Sequence, residues 1–241
     1  MKLYVGSRDY KPHGYLTVDI DASRNPDIIE DITDMKSIGD SSVDEIVAGH
    51  VLEHIDWPDS FKAFAEFARV LKIDGILKIA VPDMSAMSRM VMSGDNSFHA
   101  MGLIYGIGGR ENPFERHRYG FTMSMLIDIL QTLGFSGFDW WNSDFSDASN
   151  GWVPRAEAAH AGISLNISAV KTAEAEVNTA ALAEALYRQP MSDFITVASE
   201  HLGAAGANTA SSVGVYQRVH FNLIEARQRI KYLEDMIQAK K

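Results

Sequence analysis

The sequence predicts an α/β domain: a doubly wound, mostly parallel sheet of seven strands, followed by a helical C-terminal extension. Three observations predict it. Short runs of β-branched and aromatic residues alternate with stretches of helical spacing through the first half of the chain. Segment 45–81 runs strand, helix, strand, with strand cores apolar enough to be buried on both faces, as in a parallel sheet covered by helices. After residue 171 the composition turns Ala- and Glu-rich and the strand signals stop.

The elements follow in order. Segments 2–6 (KLYVG) and 15–20 (YLTVDI) read as strands, and the short connection between them has no room for a crossover helix of ordinary length. Segments 27–30 and 45–48 (EIVA) are the third and fourth strands. In 60–71 (SFKAFAEFARVL), Phe61, Phe64, Ala65, Ala68 and Leu71 recur at helical spacing, and Asp74-Gly75 closes that helix in a turn. Segment 76–81 (ILKIAV) is a buried strand ended by Pro82. From 83 to 121 repeated glycines leave helix fragments and a long loop. Segment 122–133 is an amphipathic helix, capped at Thr122 and stopped by Gly134. Segments 138–141 and 163–170 are the last two strands, with a loop across 142–162. A cofactor-binding domain therefore spans 1–171 and a helical extension 172–241, broken by a flexible linker at 203–212 (GAAGANTASS). Val219, Leu223, Ala226, Ile230, Leu233 and Ile237 step by three and four; this stripe fits either packing onto its own domain or a homodimer contact through the C-terminal helix.

Composition narrows the function. There are 22 Lys and Arg against 32 Asp and Glu, a formal charge of −10, which disfavours a broad nucleic-acid footprint. With no cysteine, disulfides, thiolate metal sites and cysteine nucleophiles are excluded. No apolar run reaches the roughly 18 residues of a membrane helix, and no signal-peptide pattern opens the chain, so a cytoplasmic location and no membrane partner are expected.

The chemistry gathers at strand ends. A doubly wound sheet binds its nucleotide beyond the carboxyl ends of its strands, where strand order switches. Gly6 ends the first strand, where backbone can approach a ligand closely. Asp19 ends the second, where a carboxylate can accept from both ribose hydroxyls. Asp31 follows the third, within reach of an exocyclic amine of a base. Taken singly, each is also explained as a turn, a cap or a solvated acid; together they mark one ligand.

These segments, KLYVGS, YLTVDID, NPDIIEDITDM, SVDEIVAGHVLEHI and RVLKIDGILKIAVPD in that order, resemble the class I S-adenosylmethionine-dependent methyltransferases, in particular the small bacterial branch of the type 11 kind. The resemblance covers roughly residues 2–171. It implies a Rossmann-like methyltransferase fold, S-adenosylmethionine as cofactor, and cofactor contacts from Gly6, Ser7, Asp19, Ile20, Asp31, Ile32 and His50. The 6–8 loop would then face the methionine end, Asp19 the ribose, and Asp31 with the Ile32 backbone the adenine. The sequence departs from the family at this loop, which reads Gly6-Ser7-Arg8 where Gly-x-Gly is usual. Arg8 either obstructs the cofactor or points away to meet a substrate anion. The Lys72-Ile73-Asp74-Gly75 loop also differs from the usual Lys-Pro-Gly-Gly.

On the acceptor side, the histidine whose proton chemistry fits neutral pH is sought among His50, His54 and His117. His50 and His54 share a helical face, but the order His-x-x-Glu-His offers no clear third ligand, so no metal is expected. His54 fits equally a residue hydrogen-bonded to backbone. His117 lies in the polar loop 108–122, and is the catalytic candidate. Arg110, Arg118 and Tyr119 around it are candidate substrate contacts for a small-molecule or saccharide-type acceptor, anionic in character; a purely structural loop is the alternative. The same features admit a catalytically inactive scaffold subunit. A nicotinamide-dependent oxidoreductase is disfavoured because Gly-x-Gly-x-x-Gly is missing.

Overall fold

Each of the first two strands, β1 (Lys2–Val5) and β2 (Leu16–Asp19), exposes its first residue and buries the next three. β3 (Ile28–Ile29) is a two-residue edge strand, and β4 (Val43–Gly49) buries every residue but Asp44. The computed structural model that establishes this describes residues 1–175 and 178, apart from 58, 94–96, 107–111, 144, 146–151 and 155–159. Helix α1 (Asp59–Val70) follows, burying Phe61, Phe64 and Phe67 along one face. Then come β5 (Leu71–Pro82), α2 (Met84–Ser93), α3 (Ser97–Tyr105) and α4 (Met123–Thr132), the last capped by Thr122 as its sequence predicts. β6 (Phe135–Trp140), β7 (Trp152–Pro154), β8 (His160–Gly162) and β9 (Ser164–Lys171) complete the described elements.

Seven strands pair in the order β3-β2-β1-β4-β5-β9-β6. The first five are parallel, while β9 runs antiparallel to both β5 and β6. The chain builds outward from β1 in both directions, so the switch in strand order falls between β1 and β4. This is the Rossmann-like methyltransferase arrangement that the sequence predicts.

Side-chain alternation sorts the two faces of the sheet. Leu3, Val5, Ile46, Ala48, Leu77 and Ile79 join the main core under α1 and α4. Tyr4, Val47 and Ala80 point the other way, into a smaller cluster of Trp141, Tyr10, Tyr15 and Phe145. Tyr4, Tyr10 and Tyr15 are thus packing residues, with ring centroids 5.3–5.6 Å from their neighbours.

The structure departs from the sequence reading in three places. The turn expected at Asp74-Gly75 is embedded in β5: Leu71 pairs with Val43 and Ile76 with Glu45, so the intervening residues bulge opposite Asp44, with Asp74 at φ +65°. The expected loop at 142–162 contains a small antiparallel pair, β7 with β8, which strands of three residues give no periodicity to reveal. Residues 172–175 are not helical. The rest of the expected extension, with the 203–212 linker and the 219–237 stripe, lies outside the described residues. Among the described residues no helix is long and apolar enough to cross a membrane.

One polar hub ties the sheet's amino-terminal end. Glu45, with 7% of its side chain exposed, accepts from Lys2 Nζ at 2.6 Å, Lys78 Nζ at 2.6 Å and the Tyr15 hydroxyl at 2.8 Å. Burial pushes the Glu45 carboxyl up, but these three bonds outweigh it and hold it below its ordinary value. Because the folded value lies below the unfolded one, the stabilisation is full above pH ~4.3 and is lost as pH falls through the folded value. Glu45→Gln is therefore expected to lose about 1–2 kcal/mol at pH 7, given that both lysines are partly exposed. Urea denaturation across pH 3–7 should show the two proteins converging at the acid end.

Candidate functional site

A cavity of about 840 Å³ opens beyond the carboxyl ends of β1, β2, β4 and β5. On one side lie Gly6, Ser7, Asp19, Ile20, Asp31 and Ile32; His50 lies at the end of β4, and His54, His117 and Arg118 line the opposite side.

The β1 end requires glycine. Gly6 sits at φ +69°, and a Cβ there would lie 2.4 Å from Val51 Cγ2. Its N–H donates to the Val18 carbonyl at 2.8 Å, which turns the chain directly beneath the end of β2. Ser7 is 3% exposed. Arg8, also left-handed at φ +51°, donates its backbone N–H to Asp19 Oδ2 at 2.9 Å. The other oxygen, Asp19 Oδ1, accepts from the Asp21 N–H at 2.9 Å. Two backbone donors thus fix the carboxylate, and each oxygen retains capacity for a further hydrogen bond. The Arg8 guanidinium goes elsewhere, to Glu115 at 2.8 Å, spanning the cavity from the β1 loop to the 113–115 turn.

Asp31 holds the loop after β3 through Oδ1, which accepts from the Thr33 N–H (2.9 Å) and hydroxyl (2.8 Å). Ile32 is buried beside it, whereas Ile20 is half exposed.

The fourth-strand end is organised around Glu53, a residue the sequence reading passed over. His50, left-handed at φ +52°, places its ring between Glu53 Oε1 (Nδ1, 3.0 Å) and Ser164 Oγ (Nε2, 2.9 Å). The Glu53 carboxylate can only accept, so its bond comes from His50 Nδ1–H, while Nε2 faces a Ser164 hydroxyl that is itself linked to Asn166 Oδ1 at 2.7 Å. Glu53 is 1% exposed, and its second oxygen, Oε2, meets no hydrogen-bond partner among the described residues. Burial pushes this carboxyl up; the imidazoles of His50 and His54 pull it down further, and the net displacement is downward.

The loop before α4 folds onto this turn. Arg118 and Tyr119 donate backbone N–H groups to the Glu53 carbonyl at 2.7 and 3.3 Å, and the His117 N–H donates to the Tyr105 carbonyl at 3.2 Å. Gly106 makes this approach possible, since a Cβ there would sit 2.2 Å from the Glu115 carbonyl oxygen. The result sets the His117 ring 4.9 Å from the His54 ring. Ligand atoms of Glu53, His54 and His117 lie within 4.8 Å of one another. The third ligand absent from His-x-x-Glu-His is thereby supplied from a distant loop, a pairing only the fold reveals. Burial holds the His117 imidazole below its ordinary value despite the opposing pull of Glu53, keeping it neutral at pH 7.

The expected substrate contacts separate. Arg118 lines the cavity, half exposed and paired with Asp56 at 2.5 Å. Tyr119 does not line it; its ring stacks on Trp57 at 4.2 Å and packs against the main core. Arg110 lies outside the described residues.

Residues 11–79 match the family model described as a methyltransferase domain. Similar solved structures include a SAM-dependent methyltransferase from Archaeoglobus fulgidus, at 14% identity and TM-score 0.48, covering 70% of this chain and 85% of that one. The 1,6-didemethyltoxoflavin-N1-methyltransferase of Burkholderia thailandensis, with its substrate and S-adenosylhomocysteine bound, is 17% identical, with TM-score 0.42 and 71% of each chain covered. A SAM-dependent methyltransferase from Methanosarcina mazei is 17% identical, with TM-score 0.43, covering 72% of this chain and 92% of that one. No curated protein matches the chain.

Proposed function

We propose that this member of the class I S-adenosylmethionine-dependent methyltransferases transfers a methyl group to a hydroxyl or amine of a small-molecule or saccharide-type acceptor. The observation that carries this reading is the Asp19 carboxylate. It is pinned by two backbone N–H groups beside a glycine turn that a Cβ would fill, at the switch point of the sheet. When bound, S-adenosylmethionine supplies an electrophilic methyl on a sulfonium, displaced in line by the acceptor. What the protein contributes is alignment and exclusion of water.

Each residue then has a definable task. Gly6 and Ser7 present backbone to the methionine end. Asp19 accepts from the ribose hydroxyls, with Ile20 beside it, and Asp31 and Ile32 border the adenine. His50 holds Glu53 in place at the far wall. His117, neutral and facing the cavity, is positioned to accept the acceptor's proton, and Arg118 offers positive charge to an anionic acceptor. Arg8 meets Asp19 only through its backbone N–H, while its guanidinium pairs with Glu115.

Calorimetric titration is the direct test. S-adenosylmethionine is expected to bind one to one with micromolar affinity and NAD not at all; no heat from S-adenosylmethionine overturns the reading. With an acceptor identified by radiolabelled methyl transfer, His117→Ala should lower kcat about 100-fold, and Arg118→Ala should raise the acceptor KM several-fold. Unchanged values for both variants would remove this loop from the acceptor site.

A further inference from the structure

We propose that Glu53, His54 and His117 form a divalent-cation site of the two-histidine, one-carboxylate kind at the acceptor end of the cavity.

Glu53 Oε2 is buried and meets no hydrogen-bond donor among the described residues, although its companion Oε1 is well bonded. A buried, unsatisfied acceptor is costly, and on a charged carboxylate more so. A carboxylate oxygen of Glu53 lies within 4.8 Å of a ring nitrogen of both His54 and His117, so a cation shared by the three would satisfy the carboxylate and both imidazoles at once.

His54 Nδ1 lies 3.1 Å from the Arg116 carbonyl, so Nδ1 carries the proton and Nε2 keeps its lone pair. Histidine ligands in metal sites are characteristically held this way, with the second ring nitrogen donating to a carbonyl that fixes the tautomer. His117 is fixed through its backbone, whose N–H donates to the Tyr105 carbonyl at 3.2 Å. Glu53 has a comparable support in the His50–Ser164–Asn166 chain. All three ligands are therefore oriented from behind.

The dimensions fit. Donors about 2.1 Å from a common ion stand roughly 3–4 Å apart, and these atoms already lie within 4.8 Å, so small side-chain rotations close the site. Two imidazoles and a carboxylate suit Zn²⁺, Co²⁺ or Mn²⁺ better than Ca²⁺ or Mg²⁺, which favour all-oxygen ligation. The ion's remaining positions open toward the cavity and suit neighbouring hydroxyl oxygens of an acceptor. That last clause rests on the proposed methyl transfer; ion binding itself does not. In the loaded site the His117 lone pair is given to the ion, so His117 is then a ligand and not the proton acceptor, and the ion lowers the pKa of a bound acceptor hydroxyl in its stead.

The test uses the full chain, stripped with chelator and titrated with Co²⁺ by absorption spectroscopy and with Zn²⁺ by calorimetry, without cofactor or acceptor. One ion per chain is expected, with a visible Co²⁺ spectrum of low coordination number and a Kd in the micromolar range or tighter. His117→Ala should weaken binding at least tenfold, and Glu53→Gln further still. His117 is half-buried in a loop, so its variant carries the test if the Glu53 variant fails to fold. His13→Ala, an exposed histidine outside the cluster, should bind as the parent does. No binding, or equal binding by the parent and His117→Ala, overturns the site. In either event the S-adenosylmethionine titration decides the methyltransferase reading separately.

Discussion

Asp19→Asn is expected to weaken S-adenosylmethionine binding about 100-fold while leaving the fold intact. The carboxylate receives the Arg8 and Asp21 backbone N–H groups, one on each oxygen. A carboxamide can satisfy only one; its NH₂ must face the other N–H, donor against donor. The loop 6–8 and the turn at 21–24 would then pull apart, and the surviving oxygen could no longer serve both ribose hydroxyls. Hydrogen bonds to charged groups are worth about 1.5–3 kcal/mol each, and a 100-fold loss corresponds to about 2.7 kcal/mol. Calorimetry reads this directly. An affinity within threefold of the parent's would take Asp19 away from the ribose.

Gly6→Ala is expected to hurt both folding and binding. The left-handed conformation at φ +69° costs an alanine about 1–2 kcal/mol. The new Cβ would also lie 2.4 Å from Val51 Cγ2 and 2.5 Å from Val51 Cβ, and such overpacking adds about 1–3 kcal/mol. Loss of about 2–5 kcal/mol in urea denaturation, with cofactor binding below detection, is the expected outcome. Val51→Ala in the same chain removes the Cγ2 contact but leaves the 2.5 Å approach to Cβ and the backbone strain. It should restore part of the stability and little of the binding. Full recovery of both would show that the turn conformation matters less than the space around it.

The sheet was legible in sequence because its signal is local. Runs such as Ile76–Val81 are apolar enough to be recognised without knowing their partners, and Thr122 with Gly134 bracket a helix by cap chemistry alone. Asp19 and Asp31 were legible for the same reason, since strand ends can be read once strands are. The acceptor side was not. Glu53 stands between two histidines in sequence, but its importance comes from an unpaired oxygen and from His117, which a loop anchored by Gly106 and the Glu53 carbonyl carries to it. Tyr119 was misplaced because an aromatic residue in a polar loop looks exposed until Trp57 stacks on it. The β5 bulge and the β7–β8 pair depend on partner strands, which periodicity cannot supply.

The short link between β1 and β2 has a kinetic corollary. Leu3 pairs with Leu16 across about a dozen residues, whereas Ile76 pairs with Val170 across more than ninety. Ring-closure entropy favours the nearer pairing by about 2 kcal/mol, and contacts of small sequence separation form early. The Arg8–Asp19 contact is closed by that same short link. The half of the cavity built on β1 and β2 can therefore assemble as a nascent unit while β9 is still seeking its place between β5 and β6, leaving the wall built on Ser164 to arrive last.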